Sequence, residues 1–221
     1  MPTLILANLE QGAEVTTGYS QYFFNAWKYL LPHDFTKIQK FRDFMAHQPY
    51  DLALFTEDSN MSGTSTLLGQ FITNKPTIIR WQNSWGEGVS IYGDQPQDVS
   101  IKTNAINLCN NRGLIIAELP DYIIALTHLS LLSRAKRIKQ VREIASELDN
   151  YSKPTILCGD FNDTSLSIPG FQHIKIPGTY PSWKPNKALL NVYIKGNAKV
   201  KEVEILPIKF SDHLGLILTI E

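Results

Sequence analysis

Cysteine is nearly absent: the 221 residues hold only Cys109 and Cys158. Two thiols so far apart make neither a disulfide framework nor a zinc cluster, and they read as reduced, packed side chains. An excess of one charge is also missing, because 21 Lys and Arg balance 21 Asp and Glu. The balance gives no support for the broad basic footprint behind nonspecific nucleic-acid binding, although a local basic face stays compatible with it. No long hydrophobic run occurs. The most apolar window, 113–132, carries Glu118, Pro120, Asp121 and His128, so it is not a membrane span and reads as two strands joined at Pro120-Asp121. The N-terminus lacks a basic region and reaches Asn8 and Glu10 too soon for a signal peptide. A soluble, cytoplasmic protein without stable membrane association is therefore expected. Repeats, low-complexity tracts and long linkers are missing too, so residues 1–221 are expected to form a single domain. The oligomeric state stays open.

Short apolar runs of strand length are abundant. They cover Thr3–Ala7, Asp51–Thr56, Gly88–Tyr92, Gly113–Leu119, Tyr122–Thr127, Thr155–Cys158, Leu189–Ile194, Val200–Leu206 and Leu214–Ile220, most of them bounded by Gly, Pro, Asn or Asp. Helical spacing appears twice. It places Ile38, Phe41 and Met45 on one stripe of Thr36–His47, and Ile138, Val141, Ala145 and Leu148 on one stripe of Ser133–Leu148. The other face of the second helix carries Lys136, Arg137, Lys139, Arg142, Glu143 and Glu147, which reads as a solvated face or a basic patch. Many strands with few helices predict two packed, mostly antiparallel sheets with helices outside.

Polar residues gather where these strands end: Asn8, Glu57, His128, Asp160 with Asn162, and Asp212 with His213. Each alone is an ordinary turn or capping residue. Together Glu57, Asp160, Asp212, Asn8 and Asn162 form an all-oxygen set suited to a hard cation such as magnesium or manganese.

The run Leu157-Cys-Gly-Asp-Phe-Asn162 resembles the Gly-Asp-x-Asn signature of the endonuclease/exonuclease/phosphatase (deoxyribonuclease I-like) superfamily. Ser211-Asp212-His213, about fifty residues later, resembles its terminal Ser-Asp-His, and Thr127-His128-Leu129 its Thr-His-Leu. Asn8 and Glu57 match its first-strand asparagine and metal-binding glutamate. Arg112-Gly113, Arg137, Gln140 and Thr179-Tyr-Pro-Ser-Trp-Lys-Pro185 fit its bacterial branch. The resemblance implies a four-layer α/β/β/α sandwich with the site at one end, and a hydrolase that cleaves phosphate esters with magnesium or manganese. It implies Glu57 as principal metal ligand with Asn8 and Asp212, and Asp160 as base for the attacking water. Asn162 would fix that aspartate or a phosphate oxygen. His128 and His213 would hydrogen-bond phosphoryl oxygens, with Arg112 supporting the phosphate. One position departs from the pattern: where the superfamily has an aspartate that bonds the terminal histidine, Leu190-Asn191-Val192 places Asn191. An asparagine partner would leave His213 less basic, and Asn191→Asp would raise activity.

A nuclease-type phosphodiesterase acting on DNA or RNA is the expected function. Hydrolysis of phosphomonoesters, phospholipids or inositol phosphates, or a catalytically impaired binding module, are the alternatives. Trp81, Trp85, Tyr180 and Trp183 could stack on bases or pack the sandwich. The aromatic stretch Gln11–Asp34 could cover the site mouth or form a packed helix.

Overall fold

The computed structural model describes residues 1–25, 35–61, 64–94 and 100–221. Along the chain the strands and helices are β1 (Thr3–Asn8), α1 (Ser20–Asn25), α2 (Thr36–Met45), β2 (Leu52–Asp58), α3 (Leu68–Thr73), β3 (Thr77–Gln82), β4 (Gly88–Gly93), β5 (Lys102–Leu108) and β6 (Arg112–Glu118). They continue with β7 (Ile123–His128), α4 (Arg134–Leu148), β8 (Thr155–Asp160), β9 (Gln172–Ile174), β10 (Leu190–Lys195), β11 (Val200–Ile205) and β12 (Leu216–Ile220). Two six-stranded sheets result, in the orders β11-β12-β1-β2-β4-β3 and β5-β6-β7-β8-β10-β9. Among the described residues only β1–β2 and β7–β8 pair in parallel.

Alternation along the central strands builds the layers. In β1, Leu4 and Leu6 enter the core between the sheets, where they meet Ile124, Leu126, Ile156 and Cys158 of the second sheet. Ile5 and Ala7 face outward and are covered by Ile38, Phe41 and Met45 of α2 and by Leu68 and Ile72 of α3. On the other side α4 covers Ile116, Ala125 and Leu157 through Val141, Ile144 and Leu148. Strands buried on both faces must be apolar throughout, which is why β1, β7 and β8 read as unbroken runs. The result is the expected α/β/β/α sandwich. The sheets are tied at one edge by Trp81, whose Nε1 donates to Asn107 Oδ1 at 2.7 Å. Its ring lies so close to Gly113 that a Cβ there would fall 2.0 Å from it, so Trp81 is a packing residue.

Some elements differ from the sequence expectation. Strands β3, β5 and β9 lie at sheet edges with most side chains exposed or half-buried; β5 and β9 carry no apolar run to betray them, and in β3 Arg80 interrupts Ile78, Ile79 and Trp81. On α4, Ile138 is exposed, while Gln140 and Ile144 join the buried stripe. Gln140 turns inward because its amide satisfies Ser130 N, Ser130 Oγ and Cys109 O at 3.0, 2.9 and 2.8 Å. Within the stretch Gln11–Asp34, Trp27 and Tyr29 lie outside the described residues.

Gly159 is required by geometry. It sits opposite Thr127 in the β7–β8 pairing at φ +144°, and a Cβ would fall 1.9 Å from Thr127 O. Gly159→Ala is expected to cost about 2–4 kcal/mol in urea unfolding, because strain and clash combine. A change within about 0.5 kcal/mol, the range of an ordinary surface substitution, would show that the pairing tolerates a side chain.

Candidate active site

The two parallel pairs decide where polar residues meet. Asn8 pairs with Thr56 and His128 with Asp160, so the C-terminal ends of β1, β2, β7 and β8 open on one end of the sandwich. Strand β12 runs antiparallel to β1, so Asp212 and His213, just before it, arrive at the same end. The separate sequence motifs thus converge on one cleft of about 530 Å³, lined by Glu10, Glu57, Asp160, Asn162, Asp212 and His213, with Tyr22, Leu131, Tyr180, Lys187 and Leu189.

Asn8 is the hub. Its Nδ2 donates to Glu57 Oε1 and to Asp160 Oδ2, each at 3.0 Å, while its Oδ1 accepts from Glu10 N at 2.8 Å. Glu57 adopts φ +54°, which turns its side chain out of the strand alternation and towards the cleft. Asp160 also accepts from Asn162 N at 2.9 Å, and His213 Nε2 lies 3.5 Å from its Oδ2. Asn162 Nδ2 donates to Leu129 O and to His128 Nε2, both at 3.0 Å. Because that amide is fixed by the carbonyl, Nε2 is the acceptor and the imidazole proton sits on Nδ1. Nδ1 lies 3.0 Å from Glu87 Oε1, outside good hydrogen-bond alignment, and Arg112 donates to the same oxygen at 2.6 Å.

Burial and crowding set the electrostatics. Burial pushes Glu10 up to about 10, with Asp212 and Glu57 adding repulsion. Burial likewise raises Glu57 to about 7, partly offset by His128 and reinforced by Glu87 and Asp212. Asp212 also moves up, chiefly by burial. Glu87 goes the other way, to about 2, because His128 and Arg112 outweigh its burial. For His128, burial disfavours the imidazolium, but Glu87, Asp160 and Glu57 overcome it and raise the ring.

This set fits a hard divalent cation. The burial and crowding that disfavour the charged forms of Glu10, Glu57 and Asp212 would be offset beside one, and Oε1 of Glu10 is buried with no partner. Among the described residues no three His, Cys, Asp or Glu side chains are already gathered at ligand distance. Magnesium needs only one or two carboxylates plus water, so Glu57 with Asp212 or Asn8 would suffice.

Three sequence assignments change. Arg112 does not line the cleft but neutralises Glu87. His128 is 6 % exposed and also lies behind the lining, holding Asn162. Asn191 faces away from His213: its Oδ1 is 2.8 Å from His173 Nε2, and its Nδ2 donates to Asp163 O, Ala188 O and Leu189 O. Strand parity explains the error. Leu190 pairs with Asp160 and shares the inter-sheet face with Val192 and Ile194, so the strand residue beside the site is Leu190. His213 Nδ1 is buried without a partner, as expected where no carboxylate stands behind it.

Residues not foreseen are Glu10, Glu87 and Lys187, and Tyr22 was foreseen only as part of the stretch Gln11–Asp34. Glu87 lies in a Gly-Glu-Gly turn, which hinted at an exposed tip and not at a partner for His128. Tyr22 of α1 hydrogen-bonds Asp212 through its hydroxyl. Within the described part of Gln11–Asp34, α1 is thus helical and brings Tyr22 to the cleft. Behind the site, Arg137 donates to Ser130 O and Leu131 O at 3.0 and 2.8 Å and pairs with Asp163, which braces the loop after His128.

No family model and no curated protein matches the sequence. Solved structures match in fold. An endonuclease/exonuclease/phosphatase protein from Bacteroides vulgatus superposes with a TM-score of 0.71 at 15% identity, over 100% of this chain and 98% of that one. The mannosyl-6-phosphatase of Bacteroides thetaiotaomicron does so with 0.70 at 10%, over 100% of both chains. The inositol polyphosphate 5-phosphatase domain of a synaptojanin, in complex with inositol (1,4)-bisphosphate and calcium ion, gives 0.60 at 13%, over 99% of this chain and 83% of that one. The chain therefore has the deoxyribonuclease I-like fold of endonuclease/exonuclease/phosphatase proteins.

Two measurements probe the electrostatics. Glu87→Gln should lower the His128 pKa, read by NMR titration, and reduce any hydrolysis about 10- to 100-fold through the Asn162 it helps to hold. An unchanged titration would remove Glu87 from the site. The second is melting without metal. Glu57 and Glu10 have folded-state values above the ordinary 4.5, so their stabilisation is full below about 4.5 and is lost as pH rises through about 7 and towards about 10. His128, also raised, acts in the same sense, whereas Glu87 loses its contribution only as pH falls from 4.5 towards about 2. In EDTA the Tm should fall between about pH 5 and about pH 8, and magnesium at the higher pH should restore it. A flat profile without a magnesium response would contradict the cation-binding reading.

Proposed function

We propose that the protein is a divalent-cation-dependent phosphoesterase that hydrolyses a phosphodiester. The observation that carries this is Asn8 bridging Glu57 and Asp160 in a cleft shared with Asp212 and His213. A phosphodiester anion repels nucleophiles, so the site must neutralise charge and position a water. Asp160 is oriented by Asn8 Nδ2 and Asn162 N, and it accepts the proton of the attacking water. His213 and Lys187, both lining the cleft, face the phosphoryl oxygens. His128 and Arg112 act from behind, through Asn162 and Glu87. Glu57, Asp212 and Asn8 would hold magnesium or manganese, which supplies Lewis-acid stabilisation of the phosphate when bound. Neighbours in fold that are named as phosphatases support an ester of phosphoric acid as substrate.

A second reading, a binding module of low turnover, draws on the unpartnered Nδ1 of His213. A single panel separates the two: supercoiled and linear DNA, RNA, a generic phosphodiester, a phosphomonoester and inositol lipids, each with magnesium or manganese, with EDTA and with Asp160→Ala. Hydrolysis is expected and should drop at least about a thousandfold in both controls. Hydrolysis that persists in EDTA would refute the cation role. Silence across the panel with a magnesium-induced rise in Tm would favour the binding module.

A further inference from the structure

The cleft end of the molecule has an unusual surface. Among the described residues eight large hydrophobic side chains are exposed, and six of them, Tyr19, Phe23, Phe24, Trp85, Leu131 and Leu132, surround this end. Tyr19, Phe23 and Phe24 flank Tyr22, which reaches Asp212, and Tyr19 meets Trp183 edge-on at 5.1 Å. Leu131 lines the cleft, and Leu132 beside it is 95 % exposed. Trp85 is two residues from Glu87 in the β3–β4 hairpin. Single exposed apolar residues are ordinary, but their concentration around one opening marks an interaction surface.

Exposed cations are spread over the whole molecule, Lys40, Lys102, Lys136 and Lys201 among them, but among the described residues those at this end stand without exposed carboxylates. Arg134 opens α4 beside these leucines, Lys184 and Lys187 lie in the loop that lines the cleft, and Lys209 lies in the loop before Asp212; all four are exposed. Exposed carboxylates lie elsewhere among the described residues. Asp51, Asp94, Asp121 and Asp149 sit at the opposite strand ends, and the others lie on α2, on β11 or at the far end of β12.

We propose that the cleft end docks on an anionic lipid bilayer, with the opening facing the lipid. Phe23, Phe24 and Leu132 would enter the acyl boundary, and the four cations would meet lipid phosphates. Nucleic acid would also suit the cations and the aromatic rings, but Leu131 and Leu132 offer no flat π-face for stacking. The inference revises the sequence expectation of no membrane association. No single loop is apolar enough or basic enough to reveal the surface; folding gathers it from five separated segments. Docking is a property of the surface and does not depend on hydrolysis.

The test is vesicle flotation with the whole protein in EDTA, so that a failure of the hydrolytic reading leaves the result intact. The protein should float with vesicles of phosphatidylcholine and phosphatidylserine and much less with phosphatidylcholine alone, and added salt should weaken it. Phe23→Ser/Phe24→Ser/Leu132→Ser should lower the bound fraction at least about tenfold with unchanged circular dichroism. Should that variant misfold, Leu132→Ser alone should still lower it about threefold, since one apolar side chain leaves the lipid. Absence of flotation with anionic vesicles overturns the proposal, as does equal flotation of correctly folded variants. Binding of an oligonucleotide, or self-association, that is lost in the triple variant without any vesicle binding also overturns it, and assigns the surface to that partner.

Discussion

One carboxamide joins the two halves of the molecule. Asn8 belongs to the first sheet and donates both to Glu57 of that sheet and to Asp160 of the second, so a single buried group fixes the spacing of two carboxylates from opposite layers. A buried carboxylate without a donor is costly, and the amide meets that cost for both at once. Everything else at the cleft is arranged around this spacing. Asn162 bonds the other oxygen of Asp160, Glu10 bonds the oxygen of Asn8, and Asp212 N bonds Glu10 at 3.2 Å.

Charge is handled by a similar economy. Glu87 faces His128 and Arg112 together, so the strongly paired acid lies outside the cleft, and Glu10, Glu57 and Asp212 inside it are left crowded and raised. Burial outweighs the nearby His128 at Glu57, and at Glu10 burial and repulsion by Asp212 act together, so both carboxyls are raised.

The central architecture was legible because β1, β7 and β8 are buried on both faces and read as unbroken apolar runs. Asp160, Asp212, His213, Glu57 and Asn8 were legible because each ends such a run or precedes one, at spacings that few chains reproduce. Strands β5 and β9 were not, since edge strands are stabilised by backbone pairing and need no apolar side chains. Glu10 and Glu87 escaped because an acid in a turn looks the same in sequence whether it meets water or a histidine. Asn191 was misread by a single residue: with a period of two, one step of register exchanges the site face for the outer face. Arg112 and His128 stand one layer behind the cleft, because each meets Glu87, a partner that the sequence does not show.

The bond from Asn8 to Asp160 spans 152 residues. During synthesis Asn8 leaves the ribosome long before its partner exists, and no local segment can assemble the cleft in miniature. Topologies dominated by such distant pairings close costly loops before the contacts reward them, and they fold on the slow side of the single-domain range. Completion of the cleft should therefore be a late event, and a nascent fragment ending before β8 lacks the second carboxylate that Asn8 holds.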